Sequence, residues 1–183
     1  MDFLTRRDEV VSEKLEKVVY IYGVDTPEYH QYAECHSDIT FSPFFDESLI
    51  SPNSILVFDD MMADLSGKMN DFITNFITKS VHHLKVSVIC ILHNMYTKNM
   101  RSASLSTDYI LLFKFPRDLS ILSVLARQVC PGQAEAFKEG YHFATSRKPF
   151  SYLFLDLHQL QNPHFKFRTG IFNDKDTYLI VPK

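Results

Sequence analysis

The sequence predicts an α/β fold: three layers, with helices on both faces of a mostly parallel sheet. Two observations carry that prediction. Short apolar runs at residues 18–22, 54–58, 86–92, 109–113 and 152–157 alternate with segments of helical period. Those runs are apolar at nearly every position, the pattern of strands covered on both faces. A length of 183 residues with 45% hydrophobic side chains suits one domain, residues 1–183, with a real core.

The elements follow in order. Residues 2–16 read as the end of a helix, with Phe3, Val10, Val11 and Leu15 near helical spacing among charges. Val18-Val19-Tyr20-Ile21-Tyr22 is a short buried strand closed by Gly23. Residues 27–35 form a short helix with Pro27 in its first turn. Ile39-Thr40-Phe41 is extended, and 54–58 is the second buried strand. In 69–79 the period switches: Met69, Phe72, Ile73, Phe76 and Ile77 mark an amphipathic helix. The runs 86–92 and 109–113 are further strands. Asp118 is placed to cap a helix carrying Leu122, Leu125, Ala126 and Val129. Pro131 opens another, with Ala134, Phe137, Tyr141 and Ala144 inward. After the strand at 152–157, residues 165–168 and 178–181 form a closing hairpin or edge pair.

Several classes are excluded or disfavoured. No apolar run reaches the roughly 18 residues of a membrane span. The N-terminus, MDFLTRRDEVVSEKLEK, is charged throughout and lacks a secretory h-region. Cys35, Cys90 and Cys130 are far apart, odd in number and outside any CxxC. They read as reduced thiols of an intracellular protein, nuclear or cytoplasmic. The net charge of −3 is uneven: residues 1–60 carry 4 basic and 13 acidic side chains, 61–120 carry 7 and 4, and 121–183 carry 8 and 5. The two later segments could face a phosphate-bearing partner, although ordinary solvated surface gives the same counts.

In parallel α/β sheets ligands sit beyond the carboxyl ends of the strands. The polar residues there are Asp59-Asp60, His93-Asn94 and Lys114. An apolar strand ending in two acids has the form of a Walker B motif. Mg²⁺ on a nucleotide keeps most of its waters and needs a carboxylate beside them, the place of Asp59. Asp60 is then positioned to orient or deprotonate an attacking water. His93-Asn94 could sense a γ-phosphate. Each feature has a plainer reading as a turn or cap. Arg117, Arg127 and Arg147 could each bring positive charge to a transition state or simply sit on the surface. Adjacent His82-His83 point apart and make a poor metal site. Asp156 and His158, with Lys166 or Lys175, form the weaker pattern of a metal-dependent nuclease. A phosphate loop needs GxxxxGK[ST]. Around Gly67-Lys68 the first glycine position holds Met62 and the hydroxyl position Met69, so the motif is missing.

Taken together, ILVFDDMM, SVHHLKVSVICILHNMY, SLSTDYILLFKFPRD, LARQVCPGQ, PFSYLFLDLH and FRTGIF resemble one family, in order and over nearly the whole chain. It is the FtsK/HerA class of genome-packaging ATPases, in the version carried by Maverick/polinton-type elements and related DNA viruses. The resemblance implies a RecA-like P-loop NTPase fold of the additional-strand class, ATP with Mg²⁺, a ring-shaped oligomer, and translocation of double-stranded DNA. It implies Asp59 as the Mg²⁺ aspartate and Asp60 as the catalytic acid. Asn94 carries over as a catalytic polar residue, and His93 stands where the family commonly has Gln. Arg117 and Arg127 match basic positions of the PRD and LARQ stretches. The first strand and phosphate loop of the family have no counterpart, so the expectation is a truncated domain, weak or inactive alone. That strand would lie between the strands at 86–92 and 109–113, so either the two interior edges pair with each other, or another chain fills the slot, or the sequence is a truncated gene model. Partners implied are double-stranded DNA, further copies, or intact ATPase subunits. The alternative is a non-enzymatic domesticated protein that binds DNA or such a partner.

Overall fold

A computed structural model describes residues 1–61, 75–77, 81–93, 104–116, 119–172, 174 and 176–181. They belong to two compact units, Met1–Ser106 and Thr107–Lys183.

The first unit holds α1 (Asp2–Thr5), β1 (Lys17–Tyr22), α2 (Pro27–Cys35), β2 (Ile39–Ser42), β3 (Ser54–Asp59), α3 (Val81–Leu84) and β4 (Val86–Ile91). Its four strands are all parallel, in the order β2-β1-β3-β4. Strand alternation sends successive residues to opposite faces, and both faces are covered. On one lie Val18, Tyr20, Tyr22, Ile55 and Val57, packed with Leu4 of α1 and Tyr29 of α2. On the other lie Val19, Ile21, Leu56 and Phe58, packed with Phe45, Phe76 and Val81. This two-sided burial is why β1 and β3 read as unbroken apolar runs. The α/β class and the parallel sheet are as the sequence predicts. Of the expected helix at 69–79, only residues 75–77 fall within the described residues, and Phe76 is buried in the second face.

The N-terminal helix is much shorter than 2–16. It stops at Thr5 and a 3₁₀ turn follows at Arg7–Glu9. Arg7 Nη1 returns to the Leu4 carbonyl at 2.5 Å, and its Nη2 donates to the Asp38 carboxylate. Arg6 Nε and Nη2 grip the two Glu9 oxygens at 2.8 and 2.7 Å. These contacts favour a compact turn, and the β-branched Val10-Val11 pair adds little helix propensity against it.

The second unit holds β5 (Tyr109–Phe113), α4 (Leu119–Val129), α5 (Ala134–Thr145), β6 (Tyr152–Asp156) and β7 (Phe167–Arg168). Its sheet has the order β5-β6-β7 and is antiparallel throughout. The change of direction follows from the connection. One helix returns the chain to the start of a parallel neighbour, whereas the α4–α5 pair uses both directions and sends β6 back against β5. Leu122, Leu125 and Ala126 of α4 and Phe137, Tyr141 and Ala144 of α5 are buried against Leu153 and Leu155. Helix α5 starts at Ala134 rather than Pro131, because Gly132 sits at φ +81°, outside any helix. An Arg168–Leu179 bridge closes the chain beside β7, as expected for the terminal pair.

Among the described residues β4 is an outer strand of the first unit's sheet and β5 an outer strand of the second unit's.

Candidate functional site

The carboxyl ends of β3 and β4 gather the acidic doublet and His93. Strand β3 is interior, with β1 and β4 as neighbours, and Asp59 is its last residue, in register with Tyr22 and Ile91. Alternation puts Asp59 on the face of Ile55 and Val57, which is also the face of Tyr20 and Tyr29. Its Oδ2 accepts from Tyr20 Oη at 2.6 Å and from Tyr29 Oη at 2.9 Å. Around that point Tyr20, Tyr22, Tyr29 and Phe41 pack ring to ring, with centroids 4.9–5.3 Å apart. Burial, then the hydrogen bond and negative charge of Asp59, push the Tyr20 hydroxyl far above its usual range. Tyr29 moves the same way, first from burial and then from Asp59.

Asp60 goes the opposite way. Its backbone adopts φ 52°, the left-handed region that Asp tolerates better than most residues. Its N–H donates to the Ile91 carbonyl at 3.2 Å, tying the turn to the end of β4. The side chain is exposed, and Oδ2 lies 3.4 Å from His93 Nε2. The doublet is therefore divided: one acid is locked inward by tyrosines, and the other faces solvent beside a histidine.

Other predicted residues are not gathered here. Asn94 and Arg117 lie outside the described residues, as do Ser66-Gly67-Lys68 and Asp118. Arg127 is exposed on α4 of the second unit. Arg147 is engaged structurally: Nη1 donates to the Asp176 carbonyl at 2.6 Å, and the guanidinium lies 4.3 Å from the Tyr178 ring centroid. Asp156 lines a shallow cleft of about 140 Å³ with His158, Gln161 and Lys166. Its carboxylate is already engaged by Gln161 Nε2 at 2.5 Å and the His158 N–H at 3.3 Å. Lys166 Nζ is spent on the Val129 carbonyl at 2.7 Å. That arrangement ties the end of β6 to the segment after it and, among the described residues, leaves this cleft without the free acids of a nuclease; Lys175 lies outside the described residues.

The sequence reading missed Tyr20 and Tyr29. The period-two pattern of β1 and β3 could have placed Tyr20 and Asp59 on one face; nothing local marks Tyr29.

The resemblance implies Mg²⁺ and ATP at this site. Among the described residues no group of three His, Cys, Asp or Glu side chains forms a metal cage. Asp60 is exposed, and Asp59 Oδ1 takes no hydrogen bond from the described residues. That suits an ion keeping most of its waters, as Mg²⁺ does. A triphosphate does not fit equally well, because the sequence has no glycine-rich loop to offer successive backbone amides.

No protein-family model, no curated protein and no solved structure matches this chain.

Proposed function

We propose that this chain is a RecA-like domain of a DNA-translocating ATPase, in the manner of the FtsK/HerA class. It carries the acidic half of a nucleotide site and no phosphate loop within its 183 residues. One observation supports this above the rest: two adjacent carboxylates end an interior parallel strand, with His93 of the next strand beside the outer one. In this reading Asp59 would hold a hydrated Mg²⁺, which would supply charge neutralisation to phosphate oxygens. Tyr20 and Tyr29 fix the Asp59 carboxylate, and Asp60 presents a proton acceptor to solvent with His93 in reach. Asn94, Arg117 and Arg127 would complete the polar set. Without backbone amides around the phosphates, the chain by itself is expected to show no ATP turnover. Clear ATPase activity that disappears in Asp60→Asn would refute that expectation.

A second reading is favoured by the tyrosine lock, which gives Asp59 a structural role needing no nucleotide. The chain would then be a domesticated, non-enzymatic protein that binds double-stranded DNA or intact ATPase subunits. DNA affinity falling steeply with salt supports the DNA form; affinity that is flat across salt removes it.

A further inference from the structure

Helix α2 has nine residues and buries none of them fully. Seven are exposed, and two, Tyr29 and Tyr32, are part-buried. Thr26 at its N-cap makes no side-chain capping bond. Isolated helices shorter than about 12–15 residues are marginal in water, so packing must hold α2 in place. The His30–Asp25 contact at 3.1 Å is exposed and ties the helix to its own leading loop. The Tyr32 ring stacks on His36, just past the helix end. Tyr29 is different. Its ring meets Tyr20 and Tyr22 of β1 and Phe41 of β2, at centroid distances of 5.3, 4.9 and 5.1 Å. Its hydroxyl reaches on to Asp59 Oδ2 at the end of β3. One side chain thus joins α2 to three strands and to the inner carboxylate of the candidate site.

We propose that Tyr29 couples a divalent cation on Asp59 to the docking of α2, each favouring the other. The sign follows from how the two carboxylate oxygens are used. Oδ2 accepts from both Tyr20 and Tyr29, while Oδ1 takes no hydrogen bond from the described residues. With Oδ2 held, the side chain keeps one rotamer and Oδ1 keeps one direction. Without the Tyr29 hydroxyl the carboxylate is freer to turn. A docked α2 and a hydrated cation therefore select the same Asp59 conformation, and by linkage each strengthens the other by the same factor. The helix is the part that opens, because it has few buried contacts while β1 and β3 lie in the core. The cation is that of the nucleotide reading, on which this inference rests. The link from Asp59 through Tyr29 to α2 stands without it.

Amide hydrogen exchange on the full chain tests it, with Mg²⁺ alone as the ligand. The amides to follow are those of residues 31–35, the intrahelical donors of α2. In the wild type they should exchange by local opening, with little dependence on urea, unlike the amides of β1 and β3. Tyr29→Phe keeps the ring and removes the hydroxyl, and should speed their exchange about fivefold. Tyr32→Phe removes a hydroxyl that does not bond Asp59, and should leave them at the wild-type rate. Saturating Mg²⁺ should slow them about fivefold in the wild type and leave them unchanged in Tyr29→Phe. Broadening of the Asp59 and Asp60 amides by Mn²⁺ alone reports whether metal is bound. Bound metal with α2 amides that do not respond would overturn the coupling and leave the cation reading standing. Failure of metal to bind at Asp59 would overturn both. Tyr29→Phe amides that exchange like the wild type, or α2 amides with the urea dependence of the sheet, would also overturn the inference.

Discussion

Tyr20 Oη donates to Asp59 Oδ2 at 2.6 Å, joining the middle of β1 to the end of β3 on one face of the sheet. Tyr20 is 6% exposed, so the bond lies in a largely dry environment and its acceptor is a carboxylate. Hydrogen bonds to charged groups are worth about 1.5–3 kcal/mol. Tyr20→Phe should therefore cost about 2 kcal/mol in urea unfolding. Tyr29→Phe should cost about 1 kcal/mol, because that hydroxyl is less enclosed. Equal stability of wild type and Tyr20→Phe would mean the bond contributes nothing.

The same bond makes stability depend on alkaline pH. The Tyr20 hydroxyl is raised above its ordinary 10.0 in the folded chain. The folded state thus keeps a proton that the unfolded state releases. The stabilisation is whole below pH 10 and falls as pH climbs toward the folded value, by up to about 1.4 kcal/mol per pH unit. Burial also pushes the Cys90 thiol from 9.0 up to about 11, so its share is lost between those values. Unfolding midpoints should drop from pH 8 to pH 11, and drop less in Tyr20→Phe.

Lys85 sits at φ 51°, a left-handed conformation between α3 and β4, with its carbonyl accepting from the Asn53 N–H at 3.0 Å. A side chain there costs about 1–2 kcal/mol that glycine avoids. Glycine's greater freedom when unfolded offsets about 0.5–1 kcal/mol of the gain. Lys85→Gly should raise stability by about 0.5 kcal/mol, and a clear loss would show that the Lys85 side chain makes a contact of its own.

Gly140 faces the C-terminal segment. A Cβ at that position would come within 2.7 Å of Ile180 Cγ2. Ile180 has little room to yield, since its N–H is bonded to the Phe167 carbonyl at 2.9 Å. Alanine would improve helix propensity by about 0.8–1 kcal/mol, against about 1–3 kcal/mol for the clash. Gly140→Ala should be net destabilising, and Gly140→Ala with Ile180→Ala should recover most of that loss. Additive losses in the double variant would place the effect elsewhere.

Much of this architecture was legible. Runs such as Lys17–Tyr22 and Ser54–Asp59 are almost wholly apolar because both faces of the sheet are covered, and their shortness and β-branched content favour a strand over a buried helix segment. Pro27 marked α2 to the residue. What escaped depends on contacts far apart in the chain. The brevity of the N-terminal helix follows from Arg7 meeting Asp38, 31 residues on. The antiparallel second sheet follows from α4 and α5 acting as a pair. At the candidate site the doublet could be found from its place at a strand end. Its division could be found only in part: alternation along β3 turns Asp59 to the Tyr20 face, but the second bond comes from Tyr29, 30 residues away, and the outward turn of Asp60 from the backbone at φ 52°.

The nucleotide reading rests on Asp59 holding a hydrated cation at the ends of β3 and β4, with Asp60 nearby as the catalytic acid. Paramagnetic broadening of backbone amide signals by Mn²⁺ with ADP, recorded for the wild type and for Asp59→Asn, locates such a site even when binding is weak. The predicted result is broadening confined to residues near Gly23, Asp59, Asp60 and His93 that is lost in Asp59→Asn. Broadening elsewhere, or none at those residues, would contradict it.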